Sequence, residues 1–346
     1  MTSAASSDAT QPFVVYIDLS HWYALGVARA GRPDQPSDID LLERLRSLRH
    51  DGSILVPLSA IHYTELRENP REHLTTDAAD AMEELSDFWT LAPMSVVLAE
   101  EIDTQLHERF GKPEVVRTTP KIGRGFGFAH GVAGSFHITG SESMMTALRR
   151  RLGEEGIRQL EASANATFER LALRAGRKVP GFNPYAERDQ AEVRLARVLR
   201  VVDNLKTDPD LYRKLDDVVA AGEIVAEILK EVHDALVRAD DNPYAIATQF
   251  TESKEQMSEM LLNMPSRRVS VTIRHGYHRD LGHNWTVNDL RDIDALSIAV
   301  PYCDVVITDN AARTAVTQAH LDRTFSTTVL SRRSELLQRL ATLKEP

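Results

Sequence analysis

Short apolar runs alternate with amphipathic segments at both ends of the chain. Residues 13–17 form a β-branched and aromatic run, residues 38–50 carry leucines at helical spacing, and residues 54–58 form a second apolar run. Near the other end, the apolar runs at residues 304–308 and 327–330 lie between helical segments. Strands separated by helices build βαβ units, so the pattern predicts an α/β domain with a parallel sheet flanked by helices.

The middle of the chain has a different pattern. Residues 93–284 are predicted to form a mostly α-helical insertion, interrupted by a Gly-rich loop at residues 121–131 and by an irregular Arg- and His-rich stretch at residues 265–284. The insertion divides the α/β domain into a first part, residues 12–92, and a second part, residues 285–346. Residues 1–11 are rich in Ser, Ala and Thr, which predicts a disordered tail.

Composition excludes several classes of protein. Among the 346 residues, 41 Lys and Arg oppose 51 Asp and Glu, and the net charge of −10 argues against a broad nucleic-acid coat. The single cysteine, Cys303, cannot form an internal disulfide or a Cys-based zinc or iron–sulfur site, which favours a reducing, cytoplasmic setting. No apolar run approaches the roughly 20 residues that span a bilayer, so we expect no membrane segment.

Carboxylates cluster where the predicted strands end, the edge at which open parallel sheets carry their active groups. These carboxylates are Asp18, Glu65, Asp292, Asp294 and Asp309. Asp294 lies four residues from both Leu290 and Ile298, on an apolar stripe where a charge must be paired or coordinated. Converging carboxylates repel each other unless a cation lies between them, and oxygen ligands suit Mg²⁺ or Mn²⁺. Taken singly, these acids have ordinary alternatives: Asp18 and Asp309 are typical of helix caps, Glu65 of a solvated helix surface, and Asp292 of a first helical turn.

Four segments follow one another along the chain in a recognisable order. Residues 14–20 place Asp18 and Ser20 after a strand, residues 54–59 precede Glu65, residues 294–299 begin with Asp-Ala-Leu, and residues 304–310 end a strand in Thr-Asp. Together these four segments resemble the PIN-domain nucleases. The resemblance covers residues 12–89 and 285–346, and the insertion has no counterpart in a typical member. It implies a PIN-like sheet and a Mg²⁺- or Mn²⁺-dependent ribonuclease, in many members the toxin of a toxin–antitoxin pair.

The resemblance also assigns roles to residues. It implies that Asp18, Glu65, Asp294 and Asp309 hold the metal, with Asp292 and Asp304 as alternatives for the third and fourth positions. The groups behind the ligands or beside the phosphate would be Ser20, Thr308 and Asn310. The expected partners are RNA or another single-stranded nucleic acid, and an antitoxin or other protein partner.

Basic residues at the two ends of the insertion are candidates for gripping a phosphate chain. They are Lys121, Arg124, Arg267, Arg268 and Arg274. If the ends of the insertion return to the sheet edge, these residues would border the acidic site; the alternative is ordinary solvated surface. A zinc site at the three histidines near residue 280 is disfavoured because its spacing is irregular. A non-catalytic PIN-fold scaffold and a DNA nuclease remain alternative functions, since no reader of the 2′-hydroxyl group is identifiable.

Overall fold

The computed structural model describes residues 12–111, 113–132, 137–174, 184–238 and 254–343. The predicted tail, residues 1–11, lies outside the described residues. The chain is mixed α/β and mostly helical, with one four-stranded parallel sheet flanked by helices, which confirms the predicted class at this level.

The sheet places the first strand at its centre. Its strands, in chain order, are β1 (Phe13–Ile17), β2 (Ile54–Leu55), β5 (Val305–Ile307) and β6 (Thr328–Leu330), and their spatial order is β2-β1-β5-β6. β1 pairs with β5 in the register Ile17 to Ile307. A second sheet consists of the antiparallel strands β3 (Trp89–Leu91) and β4 (Ile122–Arg124).

Seventeen α-helices surround the two sheets in the described residues. The helices before the insertion are α1 (Leu19–Arg29), α2 (Pro36–His50), α3 (Ala60–Glu68) and α4 (Glu72–Ser86). The insertion contains α5 (Met94–Phe110), α6 (Gly125–Ala129), α7 (Glu142–Arg174), α8 (Pro184–Thr207), α9 (Pro209–Arg213), α10 (Leu215–Glu223), a π-helical turn (Ile224–Ile228), α11 (Leu229–Arg238), α12 (Lys254–Asn263) and α13 (Pro265–Arg279). The last helices are α14 (Val287–Tyr302), α15 (Asn310–Gln318), α16 (Leu321–Thr324) and α17 (Arg333–Ala341).

Side chains of β1 alternate between two hydrophobic layers, as the period of a strand requires. Ile17 packs with Trp22 of α1 in the layer that also holds α2, α4 and α17. Tyr16 belongs to the opposite layer, which contains Val202 of α8 and Ile273 of α13. The insertion therefore shares a hydrophobic core with the sheet.

Two predictions for the insertion are wrong. The irregular stretch at residues 265–284 contains helix α13, whose buried face carries Val269, Ile273 and Tyr277 at four-residue spacing. The Gly-rich loop contains β4 and α6, and the ring of Phe128 lies 2.5 Å from where a Cβ of Gly123 would be. Glycine is required there by close packing. No described helix is long and apolar enough to cross a membrane.

Candidate active site

A groove of about 650 Å³ opens at the carboxyl ends of β1 and β5. Its polar lining comes from the start of α1, the end of α3 with the loop after it, the start of α14, and the β5–α15 junction. These polar residues are Asp18, Ser20, Tyr23, Glu65, Glu68, Asn69, Arg71, Asn288, Arg291, Asp292 and Asp309. Three of the four carboxylates assigned to the metal from the sequence, Asp18, Glu65 and Asp309, are among them.

Asp18 lies at the junction of β1 and α1. Its backbone N–H donates to the carbonyl of Ile307 at 2.9 Å, which fixes the junction against β5. The hydroxyl of Ser20 donates to Asp18 Oδ2 at 3.0 Å, in agreement with the supporting role expected of Ser20. Burial raises the pKa of Asp18, the hydrogen bond from Ser20 opposes this shift, and the charge of Asp309 adds to it.

Glu65 reaches the groove from the second turn of α3. That helix begins at Ser59, whose backbone N–H donates to Nδ1 of the buried His62 at 3.0 Å. Burial and then the charge of Asp18 raise the pKa of Glu65 to about 7, although Arg291 acts in the opposite direction. The carboxyl group of Glu65 therefore lies in a site with excess negative charge.

Helix α14 presents Asp292, and not Asp294, to this group of acids. Burial raises the pKa of Asp292 to about 8, and the charges of Asp18, Glu65 and Asp309 add to the shift. Asp292 thus takes the place that the resemblance assigned to Asp294. Asp292 and Asp294 are two positions apart in the helix, which places them about 200° apart around its axis, so their side chains point to opposite sides.

Asp294 instead pairs with the insertion. Arg194 of α8 donates to both of its carboxylate oxygens, at 2.6 Å and 2.8 Å. Burial alone would raise the pKa of Asp294, but the charge and hydrogen bonds of Arg194, together with the charges of Arg274 and Arg267, hold that pKa below its ordinary value. The requirement for a partner on the apolar stripe was predicted correctly, and the partner is an arginine.

Asp309 closes the groove on the side of α15. It caps that helix, because its Oδ1 accepts from the backbone N–H groups of Ala311 at 2.6 Å and Ala312 at 2.9 Å. Asn310 is the exposed first residue of the helix. Thr308 is buried, and its carbonyl oxygen is hydrogen-bonded to His21 Nε2 at 3.2 Å.

Asp304 lies at the opposite edge of the sheet. It precedes β5, and its Oδ2 accepts from the backbone N–H of Val14 at 2.7 Å. The structure therefore removes Asp304 from the alternatives for the acidic group, because an acid that starts a parallel strand is separated from the carboxyl ends by the length of the strand.

None of the five basic residues predicted to bind substrate lines the groove. Lys121 pairs with Glu100 at 2.6 Å, and Arg124 pairs with Asp87. In the core of the insertion, two arginines share the buried Glu223, Arg267 at 2.7 Å and Arg274 at 3.2 Å, while Arg268 is exposed on α13. The prediction that these residues border the acidic site is corrected, since four of them are paired with acids elsewhere.

Sequence reasoning missed the polar residues around the acids. Arg291 is the neighbour of Asp292, and Glu68 follows Glu65 by three residues, so adjacency to predicted acids was the available signal. Tyr23 accepts a hydrogen bond from the Asn69 side chain at 2.8 Å on the groove wall. Tyr23 and Asn69 add hydrogen-bonding groups to the predicted site, Arg291 adds a cation, and Glu68 adds a further carboxylate.

The acids share a groove, but their side chains are not arranged as a metal-binding site. Within the described part of the chain, no group of three or more His, Cys, Asp or Glu side chains is arranged so that it could hold a metal ion as it stands. Comparison with protein-family models, curated proteins and solved structures finds no match for this chain. The functional argument therefore rests on the groove itself.

Proposed function

We propose that this protein is a Mg²⁺- or Mn²⁺-dependent endonuclease with a PIN-like sheet that hydrolyses single-stranded RNA. One observation carries the proposal: carboxylates from four separate elements line one open groove at the carboxyl ends of parallel strands. Burial and neighbouring acids raise the pKa values of Asp18, Glu65 and Asp292, and a bound cation would relieve the repulsion among these acids.

The residues that would hold the ion are Asp18, Glu65, Asp292 and Asp309. Their donor atoms are all carboxylate oxygens, which suits a hard divalent cation. Because they do not form a metal site as they stand, side-chain rotation would have to bring them together. When bound, the ion would activate water and neutralise charge on a phosphodiester.

The groove's own residues prepare it for this role. Ser20 donates to Oδ2 of Asp18, and the N-terminus of α15 holds Oδ1 of Asp309, so both carboxylates are oriented by hydrogen bonds to one of their two oxygens. The groove is open to solvent, which would admit a polymer chain. Arg71 on its wall would offer positive charge to phosphates.

We extend the proposal to location and partner. The single cysteine favours a cytoplasmic setting, and the resemblance to PIN-domain toxins favours an antitoxin protein as a partner. Copurification of the protein with the products of neighbouring genes would test the second point, and isolation of the chain alone from every such pair would contradict it.

The direct test uses end-labelled single-stranded RNA and DNA with the purified full chain in Mg²⁺, Mn²⁺ or EDTA. We expect cleavage of RNA in either metal, none in EDTA, and none with Asp18→Asn, which keeps the side-chain volume but removes a charge. Asp304→Asn is the matched control, because that acid lies at the far edge of the sheet and its oxygen can still accept from Val14. Full cleavage by Asp18→Asn would refute the proposal. Cleavage of DNA alone would show that the substrate is DNA and not RNA.

A further inference from the structure

A bidentate ion pair joins two walls of the groove. Arg291 of α14 donates through Nη1 to Glu68 Oε2 and through Nη2 to Glu68 Oε1 of α3, both at 2.7 Å. Arg291 is buried, with 8% of its surface exposed, although it lines an open groove. Paired parallel hydrogen bonds of this kind fix the orientation of both side chains as well as their separation.

Each partner of this pair is next to one of the groove's acids. Glu68 lies three residues after Glu65, on the same face of α3. Arg291 directly precedes Asp292 in α14. The ion pair therefore connects the two helices at the level of the two acids, and any change in its length would alter the separation of Glu65 and Asp292.

We propose that the Arg291–Glu68 pair is a positioning device that holds α3 and α14 at the separation at which Glu65 and Asp292 can share one divalent cation. The inference rests on the proposed metal-dependent function. When both acids are ionised and no cation is bound, the repulsion between Glu65 and Asp292 would push α3 and α14 apart, and the pair opposes that repulsion. Arg291 also places one positive charge beside the acids.

Positioning can be distinguished from a simple charge effect by the sign of one result. If Arg291 acted only through its charge, its removal would leave the acids more negative and would tighten Mn²⁺ binding. If it positions α3 and α14, its removal would weaken Mn²⁺ binding despite the gain in negative charge. Outer residues that orient metal ligands typically contribute about 10-fold or more to affinity.

The experiment measures the Kd of the full chain for Mn²⁺ alone, from the electron paramagnetic resonance signal of free Mn²⁺. We expect Arg291→Gln and Glu68→Gln each to raise Kd about 10-fold. The exchanged pair, Glu68→Arg with Arg291→Glu, should recover most of the affinity because it restores the bridge. Glu83→Gln is the matched control, because Glu83 also joins helices through arginines, Arg170 and Arg174, but lies outside the groove. The Kd of this variant for Mn²⁺ should equal that of the wild type.

Several results would overturn the inference. Tighter or unchanged Mn²⁺ binding by Arg291→Gln would do so, as would an exchanged pair that binds no better than the single variants. Unchanged Mn²⁺ binding with loss of RNA binding would make Arg291 a substrate contact. If Arg291→Gln does not fold, Arg291→Lys keeps the charge but cannot bridge both oxygens, and the same rise in Kd is expected. Absence of Mn²⁺ binding by the wild type would instead refute the proposed function itself.

Discussion

Two aspartates of the same helix should respond to the same substitution with opposite changes in stability. The pKa of Asp292 is raised to about 8 from an ordinary value of 3.8, whereas Arg194 holds the pKa of Asp294 below its ordinary value. A carboxyl group with a raised folded pKa destabilises the fold above about pH 4, increasingly up to about pH 8. Asp292→Asn should therefore stabilise the metal-free protein, and Asp294→Asn should destabilise it.

The size of the effect for Asp292 follows from the pKa shift. At pH 7 the difference between the pH and the ordinary pKa of 3.8 lowers the free energy of unfolding by about 4 kcal/mol, at about 1.4 kcal/mol per pKa unit. The groove is open, and water lowers such penalties near the surface, so we expect about 2 kcal/mol. For a chain of 346 residues this is a rise in Tm of about 3 °C.

Asp294 provides the matched control. Its side chain and that of Arg194 are 23% and 28% exposed, and loss of their two hydrogen bonds should cost about 2 kcal/mol, a fall in Tm of about 3 °C. The stabilisation from Asp294 is present above its ordinary pKa and is lost as the pH falls through its lowered folded pKa.

Thermal unfolding monitored by circular dichroism, in EDTA and from pH 5 to pH 8, measures both effects. The rise in Tm for Asp292→Asn should shrink as the pH falls towards the ordinary pKa. In Mn²⁺ the wild type should have a higher Tm than Asp292→Asn, because the wild type gains binding energy that the variant lacks. A fall in Tm for Asp292→Asn at pH 7 in EDTA, or a rise that does not change with pH, would refute the electrostatic account of the groove.

Two further sets of variants test the substrate path and the packing behind the groove. Lys121→Ala combined with Arg124→Ala should leave the salt dependence of RNA binding unchanged, since both side chains are paired with acids. Arg71→Ala, in the groove, should flatten the slope of log affinity against log salt by about 0.7. Fluorescence anisotropy measures both, and a flatter slope in the double variant would return those residues to the substrate path. Gly26→Ala should lower stability by about 1–3 kcal/mol, because its Cβ would lie 2.5 Å from the backbone of α4. Gly222→Ala, with nothing within 4 Å, should raise stability by about 0.5–1 kcal/mol; equal Tm values for these two variants would contradict the close approach of α1 and α4.

The amino-acid sequence by itself determined the parts of the site that depend on neighbouring residues. Asp18 and Asp309 each follow an apolar strand, and parallel strands bring their carboxyl ends to one edge of the sheet, so the meeting of these two acids was predictable. The bond from Ser20 to Asp18 spans only two residues and belongs to the start of a helix.

Only the tertiary structure decided between Asp292 and Asp294. Helical periodicity shows that the two side chains point to opposite sides of α14, but it does not show which side faces the sheet edge and which faces α8. That choice depends on Arg194, which is a hundred residues away in the chain and reaches Asp294 only because α8 packs on α14. The basic residues of the insertion were assigned wrongly for the same physical reason. A charged side chain pairs with the opposite charge that the packing of distant helices places near it, and the neighbouring residues in the sequence do not identify that partner.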